Sequence, residues 1–216
     1  MSRLRKILLI LICMLLLQSC VPSHSIIESD PGCELPCWRG IRMGAKYDEV
    51  LEIVENMEDV QKTSIKLTER ESPAHNVKTI WFKFLAADFG SAKLYFSDDQ
   101  LLQINFFDPK GKAKSLSNWI DLLGEPGGVW LDGGGHTRGV LVSSFYFPNM
   151  DVCLEGKPVR LKEKIYIEED HKIVYLVLYD PDNIPDFMDF GCYSKERILG
   201  IKEWTGYGEY LLNRSN

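Results

Sequence analysis

The sequence predicts an α+β fold in which antiparallel sheets carry helices on one face and two related α-β units follow one another in tandem. Two observations support this prediction. A helical pattern followed by several short strand-like runs occurs twice along the chain. Helices and strands are therefore grouped rather than alternating one by one, which favours antiparallel sheets over a doubly wound parallel sheet.

The first unit is expected to cover residues 33–112. Apolar residues, among them Val50 and Val54, recur at helical spacing and predict a helix near residues 46–57. Three strand-like runs follow, and the polar residues between the last two predict a hairpin turn. These strands are expected at residues 77–85, 92–96 and 101–107.

The second unit is expected to cover residues 113–216. Ser115 suits the N-cap of a helix whose apolar face contains Trp119, and Gly124 suits its end. The tail holds three aromatic residues between 204 and 210, so we expect it to pack back on the domain. Five strands are expected after the helix, at residues 129–131, 140–147, 152–154, 164–168 and 173–179.

The N-terminus has the pattern of an export signal. Three basic residues within the first six positions precede an apolar run at residues 7–17, which is too short to cross a bilayer. Residues 1–19 are therefore expected to be a signal peptide. The residues that end in Ser19 and Cys20 resemble the lipobox of bacterial lipoproteins, which implies cleavage before Cys20 and lipidation of that cysteine. An ordinary signal peptide with a chance cysteine, or an uncleaved anchor, is the alternative.

Signal cleavage and lipidation would determine where the domain is held and the net charge of the mature chain. Residues 20–32 would form the lipidated tether of a domain held outside the cytoplasm, in the cell envelope. The signal holds three of the 25 basic residues and none of the 31 acidic ones, so the mature chain carries a formal net charge of −9. This charge argues against nucleic acid as a partner, and the membrane would be reached through the lipid on Cys20.

Four cysteines remain after processing, and an exported chain with an even set is typical of disulfide-bonded domains. Three connectivities are possible, and proximity along the chain favours Cys33 with Cys37 and Cys153 with Cys192. A zinc site is poorly supported, because the C-x3-C spacing has no histidine nearby.

The sequence offers no catalytic motif. Neither G-x-S-x-G nor H-E-x-x-H occurs, and Ser143 and Ser144 lie within a strand-like run. The four histidines stand in separate polar segments, where we expect solvated side chains; they are His24, His75, His136 and His171. We therefore expect no catalytic residues, no cofactor and no metal.

Two polar segments leave weaker alternatives open. The glycine-rich run at residues 124–139 is expected to be a hairpin loop, although His136 and Arg138 could bind an anion there. The loop at residues 180–189 holds four aspartates that could bind calcium: Asp180, Asp182, Asp186 and Asp189. Prolines break the ligand spacing of that loop, so a solvated loop is the preferred interpretation.

Tryptophans are the remaining candidates for a binding surface. Trp119 is expected in the core, whereas Trp130 and Trp204 have glycine neighbours and are the better candidates for partial exposure. We name these two as binding residues, because tryptophan stacks sugars and anchors protein partners. Core packing is nevertheless the preferred interpretation for both.

Two sequence segments are similar to motifs of the BamE (SmpA/OmlA-like) family. The first is Cys37-Trp38-Arg39-Gly40-Ile41-Arg42-Met43-Gly44 followed by Tyr47-Asp48-Glu49-Val50, and the second is Leu122-Leu123-Gly124-Glu125-Pro126. They also resemble a group of bacterial lipoproteins with a Pro-Cys-Trp motif, and tandem copies of such an α-β unit build the β-lactamase inhibitor protein. The resemblance covers about a quarter of the chain, and the long second half departs from the BamE pattern.

The resemblance implies a binding or scaffolding role without catalytic residues. Expected partners are another envelope protein, a peptide or a cell-wall component. The alternative is an envelope hydrolase or transferase with an unrecognised site. A deep pocket with converging polar groups would favour the enzyme, and a shallow groove lined by aromatic side chains would favour binding.

Overall fold

Two α-helices and twelve strands make up most of the regular structure of the described chain, and two short 3-10 helices lie at Lys62–Ser64 and Pro148–Met150. The computed structural model describes residues 33–71, 76–85, 89–108, 114–132, 140–157, 159–160, 165–182 and 201–210. The helices are α1 (Tyr47–Asn56) and α2 (Leu116–Leu123). The strands are β1 (Lys66–Glu71), β2 (Asn76–Lys83), β3 (Ser91–Ser97), β4 (Gln100–Phe107), β5 (Gly128–Asp132), β6 (Val140–Phe147), β7 (Val152–Gly156), β8 (Val159–Arg160), β9 (Ile165–Ile167), β10 (Ile173–Tyr179), β11 (Lys202–Glu203) and β12 (Gly208–Tyr210).

One antiparallel sheet of ten strands carries both helices. Nine strands follow the order β1-β2-β3-β4-β10-β7-β6-β5-β11, and β8 pairs with β6. Strands β9 and β12 form a separate antiparallel pair. In the large sheet, the four strands that follow α1 lie on one side, and β4 pairs with β10 at the centre, where Phe107 lies opposite Tyr175. The predicted α+β class, with antiparallel strands, is confirmed.

The helices pack on the same face of the sheet, which we call the inner face. Helix α1 buries Val50 and Val54, and α2 buries Leu116, Trp119 and Leu123, all within one hydrophobic core. The large apolar side chains of the central strands fill this core because alternate residues of a strand point to the same side. Both predicted helices are confirmed.

Trp119 is among the largest fully buried side chains, with 1% of its surface exposed. Its indole lies 6.1 Å from the ring of Phe89. Helix α2 begins after Ser115 and ends at Gly124, whose φ of 81° lies in the left-handed region that glycine adopts at low cost. The predicted core position of Trp119 and both predicted helix ends are confirmed.

The Pro-Cys-Trp segment closes one end of the inner core. Cys33 and Cys37 form the predicted disulfide, with their Cα atoms 5.1 Å apart. Trp38 is buried and its ring lies 5.0 Å from Phe106, edge to face. Arg39 lies over the Trp38 ring and donates hydrogen bonds to both carboxylate oxygens of Asp59 at 2.6 and 2.8 Å. The short disulfide loop thus precedes, and helps to position, the buried Trp38 ring at this end of the core.

Strand β1 was not among the predicted strands. All six of its residues are exposed, and its sequence holds only one apolar residue, Leu67, so no alternating pattern marks it. Backbone pairing with β2 and a 2.6 Å hydrogen bond between the hydroxyls of Thr68 and Thr79 hold it at the edge of the sheet. Charged residues are typical of such edges because they oppose pairing with other chains.

The predicted turn between β3 and β4 is confirmed. Asp98 and Asp99 both have positive φ, 49° and 70°, as a two-residue hairpin turn requires. The eight predicted strands are also present, as β2–β7, β9 and β10, with small shifts of their ends. Strands β8, β11 and β12 have at most three residues each, too few for a periodic pattern to reveal them.

Candidate binding surface on the outer face of the sheet

The face of the sheet opposite the helices, the outer face, carries the candidate site. Strand register places its side chains in rows that run across the sheet. One row contains Trp81, Lys93, Asn105, Val177, Cys153 and Tyr146; its neighbour contains Lys83, Ser91, Phe107, Tyr175, Glu155, Ser144 and Trp130. These rows divide into two regions that differ in exposure.

The first region, which we call the open half, consists of Trp81, Lys93, Asn105, Phe107 and Tyr175. All five side chains are half-buried, which leaves part of each ring or polar group at the surface. Together with the more deeply placed Ser91, Ala92 and Tyr95 they line a cavity of about 190 Å³. The open half is therefore a shallow aromatic pocket with polar groups in its wall.

Phe107 and Tyr175 form one wall of the pocket. Their rings stack with centroids 4.5 Å apart and planes inclined by 22°. Burial raises the pKa of the Tyr175 hydroxyl, and the nearby Glu155 carboxylate raises it further. Tyr175 is therefore a neutral hydrogen-bond donor at physiological pH.

Lys93 supplies positive charge inside the pocket. Its ammonium group lies 4.6 Å from the centroid of the Tyr95 ring, and burial lowers the pKa of the ammonium. Among the described residues, no carboxylate forms an ion pair with Lys93. Burial also raises the pKa of the Tyr95 hydroxyl to about 12, so Tyr95 offers no anion to balance the lysine.

Two further lysines lie at the rim of the open half. The ammonium groups of Lys66 and Lys83 lie 5.3 and 5.6 Å from the centroid of the Trp81 ring. Such contacts hold a cation near an aromatic face without neutralising its charge. Three ammonium groups therefore lie in and around the pocket of this acidic chain, and the Glu155 carboxylate lies near its Tyr175 wall.

Asn105 completes the polar part of the pocket. Its amide oxygen accepts a hydrogen bond from the Gln103 amide at 2.5 Å. This contact orients the Asn105 side chain and leaves its amide nitrogen as a donor group. Ring surfaces, one amide and one ammonium thus meet within a small volume.

The second region, which we call the closed half, consists of Tyr146, Cys153, Val177 and Tyr179. Each of these side chains is at most 4% exposed, and together they form a cluster against which Trp130 and Ile201 pack. Cys153 is disulfide-bonded. The predicted partner, Cys192, lies outside the described residues.

The two predicted binding tryptophans differ in their surroundings. Trp130 is half-buried at the margin of the closed half, so part of its ring is exposed. Trp204 is only 8% exposed and packs in the inner core against the rings of Phe145 and Tyr210. Trp204 therefore packs in the core, as its preferred interpretation had it, and is not exposed for binding, because the tail folds back and three aromatic rings shield each other.

His171 also departs from its predicted surroundings. It was expected to be solvated, but its Nε2 atom lies 2.8 Å from the Ser143 hydroxyl, and burial lowers its pKa while the neighbouring Asp170 partly opposes this shift. A Cβ atom at Gly156 would lie 2.1 Å from Nε2 of His171 and 2.3 Å from Oγ of Ser143, so only glycine leaves room for the pair. Ser143 is 2% exposed, and its hydroxyl is therefore closed to a substrate.

A second depression, of about 340 Å³, lies beside α1. Its lining includes Arg39, Glu52, Ile53 and Met57. The Arg39 guanidinium is already neutralised by Asp59, so this depression offers no uncompensated positive charge to a ligand.

Several sequence predictions lie wholly or partly outside the described residues. Asp182 donates its backbone N–H to the Asp180 carboxylate at 3.0 Å, a local turn contact within the predicted loop. Among the described residues, no group of histidine, cysteine and acidic side chains could hold a metal ion, and no helix is long and apolar enough to span a membrane. The signal peptide 1–19, Cys20, the tether, His24, His75, His136, Arg138, Asp186 and Asp189 lie outside these residues.

The sequence interpretation did not single out the residues of the open half. Strand parity would have been the signal: Trp81, Lys93, Asn105 and Phe107 occupy the phase of their strands that points away from the buried apolar positions. Aromatic residues in that phase depart from the polar pattern expected of a solvated face. Comparisons with protein-family models, with curated proteins and with solved structures find no match to this chain.

Proposed function

We propose that the protein is an exported, membrane-tethered lipoprotein that acts as a binding or scaffolding module in the cell envelope and not as an enzyme. The aromatic pocket of the open half is the observation that carries this proposal. Half-buried rings around a few polar groups are typical of ligand sites, whereas a solvated sheet face usually presents polar side chains. The partner would be another envelope protein, a peptide or a cell-wall component.

The membrane tether is the second part of the proposal. Cleavage before Cys20 and acylation of its thiol would hold the domain at a membrane surface through acyl chains alone. Metabolic labelling with palmitate tests this. The label should be absent from a Cys20→Ala variant, and label that persists in that variant would contradict lipidation at this residue.

The third part concerns the origin of the fold. We propose that the two halves of the large sheet are related α-β units. Support comes from their order: α1 precedes β1–β4, α2 precedes β5–β7 and β10, and each set contributes four neighbouring strands to one sheet. The last strands of the two sets, β4 and β10, pair with each other.

We further propose that Cys153 is bonded to Cys192. The Cys33–Cys37 bond is already formed, which leaves Cys192 as the remaining cysteine of the mature chain. Non-reducing peptide mapping should recover the Cys153 and Cys192 peptides as one species that separates on reduction. Recovery of Cys192 as a free thiol would contradict the pairing.

Site-specific photo-crosslinking tests the binding function. A photoreactive amino acid is placed at position 175 in the open half and, as a matched control, at position 166, where Tyr166 is exposed on the small β9–β12 sheet. Irradiation of intact cells should give a discrete adduct from position 175 and none from position 166. Equal adducts from both positions, or none from position 175, would contradict a binding surface on the open half.

Trp130 provides a second probe of the same surface. Its partly exposed ring lies on the outer face, so Trp130→Ala should weaken binding of the captured partner if the contact extends beyond the pocket. Loss of a tryptophan anchor typically costs about 2 kcal/mol or more of binding free energy.

The enzymatic alternative depends on one observation, the Ser143–His171 contact. A serine hydrolase needs an accessible nucleophile, a base and an oriented third group, whereas Ser143 is almost fully buried. A fluorophosphonate probe should leave the folded protein unlabelled. Labelling that disappears in Ser143→Ala would favour the hydrolase and contradict the binding proposal.

A further inference from the structure

The size of the pocket limits what it can hold. Pockets for complete drug-sized ligands typically enclose about 300–1,000 Å³. The pocket of the open half encloses about 190 Å³. It therefore accommodates a part of a larger molecule, of the size of a single ring.

The charged groups of the pocket indicate the sign of the ligand's charge. A half-buried ammonium group is costly unless an anion or hydrogen-bond acceptor compensates it. Lys93 is such a group, and Lys66 and Lys83 add positive charge at the rim, while the chain as a whole has a formal net charge of −6. Charge complementarity therefore favours an anionic ligand.

The uncharged residues of the pocket indicate the chemistry of the uncharged part of the ligand. The Phe107–Tyr175 wall offers apolar ring surface, while Asn105 and Ser91 offer hydrogen-bonding groups beside it. A sugar ring has both kinds of surface, since its C–H faces stack on aromatic rings and its hydroxyl groups bond to amides and hydroxyls. A purely aliphatic ligand would leave these polar groups without partners.

Sheet topology argues against an extended acidic peptide. Peptides that bind to sheets usually add a strand at a free edge, where unpaired backbone groups supply the affinity. Strands β2, β3, β4 and β10 are all interior strands, paired on both sides. The open half therefore offers side chains but no free backbone edge.

We propose that the open half binds an acidic sugar unit of an envelope glycan, with the anionic group beside Lys93 and the sugar ring against Phe107 and Tyr175. This inference deepens the proposed binding function and depends on it. The ligand class is a polysaccharide with carboxylates on its rings, and the additional lysines at Lys66 and Lys83 suit neighbouring charged units of the same polymer.

Affinity measurements with the full chain in detergent test this inference. The probes are polygalacturonate, neutral dextran, poly-glutamate and vesicles that contain phosphatidylglycerol. Polygalacturonate should bind, dextran should not, and poly-glutamate and vesicles should bind at least tenfold more weakly than polygalacturonate. Tighter binding of poly-glutamate or of the vesicles would overturn the sugar assignment.

Two variants and one control locate the site. Lys93→Met and Tyr175→Ala should each weaken polygalacturonate binding by roughly tenfold, the loss expected when one charge-assisted bond or one stacking contact is removed. Lys172→Met removes an exposed lysine in the segment before β10 and should leave binding unchanged. Lys93→Gln serves as a second variant if Lys93→Met alters the far-ultraviolet circular dichroism.

The outcomes separate this inference from the broader function. Equal binding of polygalacturonate by Lys93→Met and by the control would overturn the sugar site, yet a photo-adduct from position 175 would still support a binding module with another partner. Without an adduct at position 175 and without any probe bound, both proposals would fail.

Discussion

The two halves of the outer face share one sheet and one strand register, yet they differ in exposure. In the closed half, Tyr146 and Val177 are buried around a disulfide-bonded Cys153. In the open half, Phe107 and Tyr175 present stacked rings at the surface, next to the Lys93 ammonium group, which forms no ion pair within the described part of the chain. This difference in exposure is the reason that we assign a stabilising role to the aromatic side chains of the closed half and propose a binding role for those of the open half.

The largest expected effect compares two tyrosines on the outer face. Tyr146→Ala in the closed half should lower the free energy of unfolding by about 3–5 kcal/mol, the usual cost of removing a buried aromatic ring. Tyr175→Ala in the open half should cost clearly less, about 1–2 kcal/mol, because its ring is already half in water. Urea unfolding of both variants checks this, and equal costs would remove the distinction between the two halves.

The second prediction concerns the covalent bond of the closed half. Cys153→Ala should destabilise the protein by about 2–5 kcal/mol, whereas Cys37→Ala should cost less, because the Cys33–Cys37 bond closes a much shorter loop. Thermal unfolding under non-reducing conditions provides the measurement. A larger loss for Cys37→Ala would show that the first disulfide, not the second, is the main covalent support.

The helices of this fold could be predicted from the sequence, whereas one edge strand could not. Helical periodicity around Val54 and Trp119 sufficed for both helices, since an amphipathic helix repeats its apolar residues over several turns. Edge strand β1 could not be found that way, because it buries no side chain and is held by backbone pairing alone.

The candidate site was harder to predict for a different reason. The pocket is formed by residues from β2, β3, β4 and β10, and their proximity depends on strand order rather than on spacing along the chain. Glycine neighbours indicated exposure for Trp130 and Trp204, but the tail packs Trp204 into the core. Likewise, nothing local to His171 indicates that Ser143 lies opposite it, because these residues belong to segments that meet only in the folded sheet.

The third prediction concerns pH and the inner side of β6 and β7. Burial lowers the pKa of His171, so the native state holds the neutral imidazole while the unfolded chain binds a proton near the ordinary value of about 6.5. The contribution of His171 to the free energy of unfolding is therefore fully present above that pH, and it is lost as the pH falls below it towards the native pKa of His171.

Unfolding midpoints measured at pH 7.5 and pH 5.5 test whether stability falls with pH in this way. The wild-type protein should lose more stability than His171→Gln over this interval, because glutamine does not titrate. The same loss in both proteins would assign the pH dependence to other groups.

The smallest expected effect is on stability at the pocket itself. Lys93→Met should leave the free energy of unfolding unchanged or raise it by less than about 1 kcal/mol, since an apolar chain of similar shape replaces a half-buried, unpaired ammonium group. Chemical unfolding measures this directly. A clear destabilisation would mean that Lys93 supports the fold and would weaken the contrast between the two halves.

The central pairing of β4 with β10 has a consequence for the way the chain reaches its folded state. A polypeptide is synthesised from its N-terminus, so β1–β4 are available well before Ile173–Tyr179 arrive. Until then β4 presents the unpaired backbone of an edge strand beside exposed aromatic rings, which is the kind of surface that promotes aggregation. Pairing over this long sequence separation is also slow. Arrival of β10 is therefore the event that converts an aggregation-prone half-sheet into a sheet whose central strands are paired on both sides, and chaperones that bind nascent chains would be needed most in the interval before it.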